Sequence, residues 1–173
     1  DAHESAMAQI DLWSRYGNKL YLILWEEEAP TFDALFDFVS SIDRSQYHIP
    51  LAPITFSIVT YESALTSIPT IQSIAQKAVF TQLQKHYSIS DDLEFDDNSE
   101  NMEIRILIQY DKATLMINTS GEPLHKRGYR GASWTAPLNE ALAAAIVHMC
   151  DWKYSNILLD PFCGSGTIAI EAA

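Results

Sequence analysis

Positive charge is scarce in this sequence: 11 Lys and Arg residues stand against 23 Asp and Glu, for a formal net charge of −12. Proteins that hold nucleic acid ordinarily show the opposite balance, so composition alone argues against an RNA partner. Cysteine is equally scarce. Two cysteines in 173 residues cannot make a disulfide framework, so a reducing, cytoplasmic setting is expected. Cys150 and Cys163 form no Cys-x-x-Cys pair and have no histidine at ligand spacing, so no metal is expected. No apolar run approaches the ~20 residues that cross a bilayer, and no apolar segment with a cleavage site opens the chain, so no membrane partner is expected. Repeats and low-complexity tracts are missing too. What is present is 47% hydrophobic residues, ample for the core of one ordinary domain or two small ones and too apolar for a disordered chain.

Hydrophobic periodicity divides the chain into alternating helices and strands. A helix is expected from Glu4 to about Arg15, with Ile10 and Trp13 on one face, then a strand over Lys19–Glu26. Thr31 suits the N-cap of a helix through Ser41 whose stripe is Phe32, Leu35, Phe36 and Val39. A strand over Ile54–Tyr61 precedes a helix over Ile68–Tyr87, and the acidic stretch Asp91–Glu100 reads as a solvated insertion without the glycine or alternation of a calcium loop. Glu103–Tyr110 and Lys112–Asn118 make a hairpin that turns near Asp111. An alanine-rich helix from Ala136 to about Cys150, introduced by Thr135 and Pro137, leads to an apolar strand, Asn156–Asp160, of the kind buried in a parallel sheet. Pro161–Gly166 is a tight turn, and another helix opens at Thr167 and is expected still to be running at Ala173. The four tryptophans are scattered and are expected in packing. The fold class is α/β (α+β): a module up to a boundary between about Thr119 and Trp134, then the opening of a parallel α/β domain. Both ends fall within helical patterns, so the chain reads as a fragment of a longer protein.

Chemistry concentrates in LLDPFCGSGTIAIEAA, residues 158–173. A buried strand would end in Asp160, at the edge where open α/β sheets bind ligands. Gly164 and Gly166 then let backbone approach a ligand closely, and the following helix aims free N–H groups at the same spot. Two ligand classes fit. Gly164-Ser-Gly166-Thr-Ile-Ala169 matches the alanine variant of the dinucleotide fingerprint, in which the helix faces a pyrophosphate. The turn also suits a methyl donor, and Asp160, four residues before Gly164, favours that second class because its carboxylate would repel a pyrophosphate.

The same string closely resembles the S-adenosylmethionine motif of THUMP-domain RNA methyltransferases, in particular the large-subunit ribosomal RNA guanine-N2 methyltransferases. LHKRGYR (Leu124–Arg130), APLNEALAAAIV (Ala136–Val147), Trp152 and LLDPFCGSGT follow in the family's order at similar spacing. SALTSIPTIQSIAQKAV (Ser63–Val79) is similar to the helix that opens the THUMP core, and LWSRYGNKLYLIL (Leu12–Leu24) to the ferredoxin-like segment ahead of it. The resemblance implies a ferredoxin-like segment over residues 1–45, a THUMP RNA-binding module over 46–120 and the start of a Rossmann-like methyltransferase domain over 121–173. It implies S-adenosyl-L-methionine as cofactor, held around Asp160, Pro161, Phe162, Cys163, Gly164, Ser165, Gly166 and Thr167, with Ala136, Pro137 and Leu138 near its methionine end. It implies rRNA or tRNA as partner, methylated at guanine N2. The family's Asn/Asp-Pro-Pro-Tyr/Phe motif, which holds the target amine, occurs nowhere in these residues and is expected beyond Ala173. No catalytic residue is therefore assigned, and residues 1–173 alone are expected to be inactive.

The segment from His125 to Arg130 gathers Lys126, Arg127 and Arg130, which could meet phosphates, with Tyr129 available for stacking, or could be an exposed connector. Lys77 and Lys85, eight residues apart on one helix, could track an RNA backbone or simply face water. Cys163 reads as a small packing residue and His148 as a boundary or core histidine. The alternatives to an RNA methyltransferase are a non-enzymatic RNA-binding module and a NAD-type oxidoreductase.

Overall fold

The computed structural model describes residues 4–41, 53–87, 101–129 and 137–173. By contact the chain divides into two compact units, residues 21–119 and residues 1–20 with 120–173. The expected partition at 45/46 falls inside the first of these.

In the unit 21–119, four strands form one sheet in the order β1 (Tyr21–Glu28), β4 (Lys112–Asn118), β3 (Met102–Gln109), β2 (Ile54–Tyr61). β1 and β3 flank β4 antiparallel, while β2 runs parallel to β3. A parallel pair needs a long crossover, and helix α3 (Ile68–Tyr87) lies on it. Helix α2 (Phe32–Ser41) packs against α3, and α3 against β2. Ile104, Ile106 and Ile108 point inward along β3 at the two-residue period of a strand with one covered face. They share a core with Leu24 and Leu115 of the sheet, Leu35 and Val39 of α2, and Ile71, Ala75, Ala78 and Val79 of α3. Burying side chains of that size is worth ~1.5–3 kcal/mol each. Phe38 completes the α2 stripe, whereas Phe32 and Phe36 stay part-buried at its margin.

Local chemistry sets the element ends. The Thr31 hydroxyl accepts the Ala34 N–H at 3.2 Å, the N-cap bond anticipated for α2. Tyr110 and Asp111 both take positive φ, +51° and +62°, as a two-residue hairpin turn of type I′ requires. The Asp111 carboxylate accepts the Ala64 N–H at 2.7 Å and the Ser63 hydroxyl at 2.8 Å, tying the hairpin tip to the turn after β2.

The second unit holds helices α1 (Glu4–Trp13), α4 (Glu140–Met149) and α5 (Thr167–Ala172), with α4 against α5. Four expectations are corrected here. α1 stops at Trp13, because the Ser14 hydroxyl takes the Gly17 N–H at 3.1 Å and turns the chain; Ile10 and Trp13 are exposed rather than packed, as is Trp25 in the sheet unit. α4 begins at Glu140, not 136, because the Asn139 side chain caps it, accepting the Leu142 N–H at 3.1 Å. Asn156–Asp160 is not a strand: among the described residues no neighbour supplies its ladder bonds, and Ile157 and Leu159 are 95% and 83% exposed. α5 covers Thr167–Ala172; the Ala173 N–H donates to the Ile170 carbonyl at 3.3 Å and its carbonyl accepts the Tyr154 hydroxyl at 3.0 Å. Thr135, Trp134 and the acidic stretch Asp91–Glu100 lie outside the described residues.

Candidate functional site

The chain reaches the glycine turn in an irregular run, exposed over 156–159, and leaves it in α5. Asp160 folds its carboxylate back so that Oδ1 accepts the Phe162 N–H at 3.2 Å, a local turn typical of aspartate. The Gly166 N–H then donates to the Cys163 carbonyl at 2.7 Å. Gly164 and Gly166 take φ of +52° and +73°, which glycine adopts without penalty and other L-residues rarely do. A Cβ at Gly166 would meet nothing within 4 Å, and one at Gly164 only the Phe162 carbonyl at 3.9 Å, so both glycines border open space. Gly166 caps α5 without a side-chain bond to the first-turn amides. Thr167 is buried and its hydroxyl pairs with that of Ser165 at 2.9 Å. Phe162, Cys163 and Pro161 face solvent. The expected cluster from Asp160 to Thr167 thus forms one continuous turn. Its half-buried carboxylate suits a cationic group on a ligand, while the positive-φ glycines and uncapped amides leave N–H donors for an acceptor group.

The other candidates scatter. Pro137 is exposed and Leu138 half-buried, both just ahead of the α4 cap; Ala136 and Arg130 lie outside the described residues. Lys77 is exposed on α3, on which Lys85 also falls. Lys126 is exposed and pairs with Glu122 at 2.7 Å, an interaction that holds the Glu122 carboxyl below its usual range, chiefly by the hydrogen bond and then by charge. Arg127 departs most from expectation. Its guanidinium turns inward to the Glu171 carboxylate at 2.6 Å instead of offering itself to a phosphate, and Tyr129 donates its hydroxyl to the same carboxylate at 2.9 Å. Cys150 and His148 are exposed; His148 meets the Tyr16 ring at 5.4 Å between centroids.

Glu171, 2% exposed on α5, escaped the sequence reading. The available signal was a lone acid in the otherwise apolar run TIAIEAA, four residues after the buried Thr167 and so on the same helix face.

Comparison with known proteins points to the methyltransferases. Residues 127–173 match the family UPF0020, the RMKL-like methyltransferase domain. The large-subunit rRNA methyltransferase K/L of Shewanella amazonensis is 34% identical over 174 residues, covering 95% of this chain and 23% of the relative. A crystal structure from Listeria monocytogenes, described as a "predicted N6-adenine-specific DNA methylase", superposes with a TM-score of 0.86 at 37% identity, over 97% of this chain and 44% of that one. The structure of SMU.472, "a putative methyltransferase complexed with SAH", gives 0.81 at 34% identity, over 96% and 44%. The chain therefore spans less than half the length of these proteins. The resemblance to the large-subunit ribosomal RNA methyltransferases and the mixed α/β fold are borne out.

Proposed function

We propose that the full-length protein transfers a methyl group from S-adenosyl-L-methionine to RNA, at guanine N2 of rRNA or tRNA. The carrying observation is the turn from Asp160 to Thr167, with its open glycine backbone beside a half-buried carboxylate, in a segment matched by a methyltransferase family. When bound, the cofactor supplies an already electrophilic methyl group. The protein then has to position donor and amine in line and exclude water, which can account for ~7–11 kcal/mol of a barrier. Asp160 would serve the donor's ammonium directly or through water, and Gly164, Ser165 and Gly166 would let the backbone close on it. Cys163 and Thr167 would line the turn, and Pro137 and Leu138, with Ala136, would border the methionine end.

RNA would be held by a THUMP module within residues 46–120, preceded by a ferredoxin-like segment over 1–45. Lys77, Lys85, Lys126 and Arg130 would be its cationic contacts. Arg127 is left out of that surface because Glu171 already occupies its guanidinium. A cytoplasmic setting follows from the same reading, and residues 1–173 alone, without an Asn/Asp-Pro-Pro-Tyr/Phe sequence, would not transfer methyl groups.

The test is calorimetric binding followed by nucleoside analysis. The full-length protein should bind adenosylhomocysteine and ignore NAD, and its RNA product should contain N2-methylguanosine. Saturation by NAD instead would revive the oxidoreductase reading. N6-methyladenosine in DNA, with none in RNA, would replace the substrate.

A further inference from the structure

Carboxylates are rarely buried, because an ion removed from water is costly unless its partners restore the lost hydrogen bonds. Glu171 is 2% exposed and fully partnered. Its Oε2 accepts from Arg127 Nη1 at 2.6 Å and from Arg15 Nη2 at 3.1 Å, and its Oε1 accepts from the Tyr129 hydroxyl at 2.9 Å. Arg15 also donates to the Glu171 backbone carbonyl, and Arg127 to the backbone carbonyl of Arg15. One carboxylate thereby joins three stretches of chain: the turn after α1, the segment 121–129, and α5. The Arg127 side chain is only 21% exposed, so solvent screens this pairing less than it screens a surface ion pair.

α5 has six residues, Thr167–Ala172, and is capped by Gly166, the last residue of the glycine turn. Wherever Glu171 is held, Gly166 is held about 1.4 helical turns away. We propose that Glu171 is a positioning residue for the methyl-donor turn, with Arg15, Arg127 and Tyr129 as its anchors. Arg127 and Tyr129 then serve the donor site from within. This rests on reading the turn as a donor site.

The experiment compares adenosylhomocysteine affinity, by calorimetry, in the full-length protein and in Glu171→Gln, with thermal melting in parallel. Glu171→Gln keeps the shape and removes the charge. It should weaken binding roughly 10- to 100-fold, the range for losing charge-assisted hydrogen bonds that hold a site. A folded variant with unchanged affinity overturns the proposal even if its melting temperature drops, since Glu171 would then be scaffold only. If Glu171→Gln does not fold, Tyr129→Phe decides. Loss of one neutral donor to a carboxylate should weaken binding about 3- to 10-fold, and unchanged affinity overturns the proposal. Failure of the unaltered protein to bind adenosylhomocysteine would instead remove the donor-site reading itself.

Discussion

The two units treat apolar sequence differently. Along β3, Ile104, Ile106 and Ile108 are sealed between neighbouring strands and helices. Along residues 157–162, Ile157, Leu159 and Phe162 are as apolar and stand 95%, 83% and 93% exposed. The sequences of the two segments look alike, so composition does not separate them. Partners do: β3 is flanked by β2 and β4, while no described segment pairs with 156–160. An apolar run states a capacity for burial, and the ladder and the covering layer realise it.

The sharpest way to break this comparison is to cut the sealed core. Ile106→Ala should destabilise the unit 21–119 by ~2–5 kcal/mol, the range for large-to-small changes where little can collapse into the gap. Denaturant unfolding measures it, and a loss below about 0.5 kcal/mol would show the site to be no core position.

The next effect lies in the glycine turn. Gly166→Ala places a Cβ in open space but at φ +73°, so the cost is backbone strain without collision. We expect ~1–2 kcal/mol against the left-handed conformation. An unchanged melting temperature would mean that the turn relaxes freely.

Asn139→Ala removes the α4 cap and should cost about 1 kcal/mol. Hydrogen exchange should rise first in the amides from Glu140 to Ala143. A uniform rise across α4 would point away from capping.

These positions show how much is legible from residues alone. The bounds of β2, α3 and β4 can be read correctly because β-branched alternation, a Pro near the first turn and a two-residue turn are local signals. A start for α4 at Ala136 comes too early because Pro137 resembles a first-turn proline, while the Asn139 cap two residues later sets the start. Arg127 and Glu171 are unreadable for a different reason. Their pairing joins residues 44 apart in sequence, and no periodicity reports a contact of that kind. Asp160 and the glycines, by contrast, form their turn from neighbouring residues and can be found as a string.

A smaller effect is a pH dependence at the hairpin tip. The Ala64 amide first, and then the Ser63 hydroxyl, hold the Asp111 carboxyl below its ordinary value. Because the folded value is the lower one, this contribution is present above the unfolded value of about 4 and is lost as pH falls through the folded value. Asp111→Asn should therefore lower the melting temperature at pH 7, and the gap to the unaltered chain should close in acid. A gap that persists at pH 2 would assign the effect to the altered turn rather than to the charge.

The smallest effect completes the comparison with Ile106. Leu159→Ser in the 173-residue chain should change stability by no more than about 0.5 kcal/mol, because its side chain is already 83% exposed and has little apolar contact to lose. The amides of 157–160 should exchange faster than those of β3, whose ladder bonds run to strands on both sides. A loss near that of Ile106→Ala, or protection matching β3, would mean that the segment is covered in solution. An apolar run beside the donor turn would then be buried by a surface that these residues do not form among themselves.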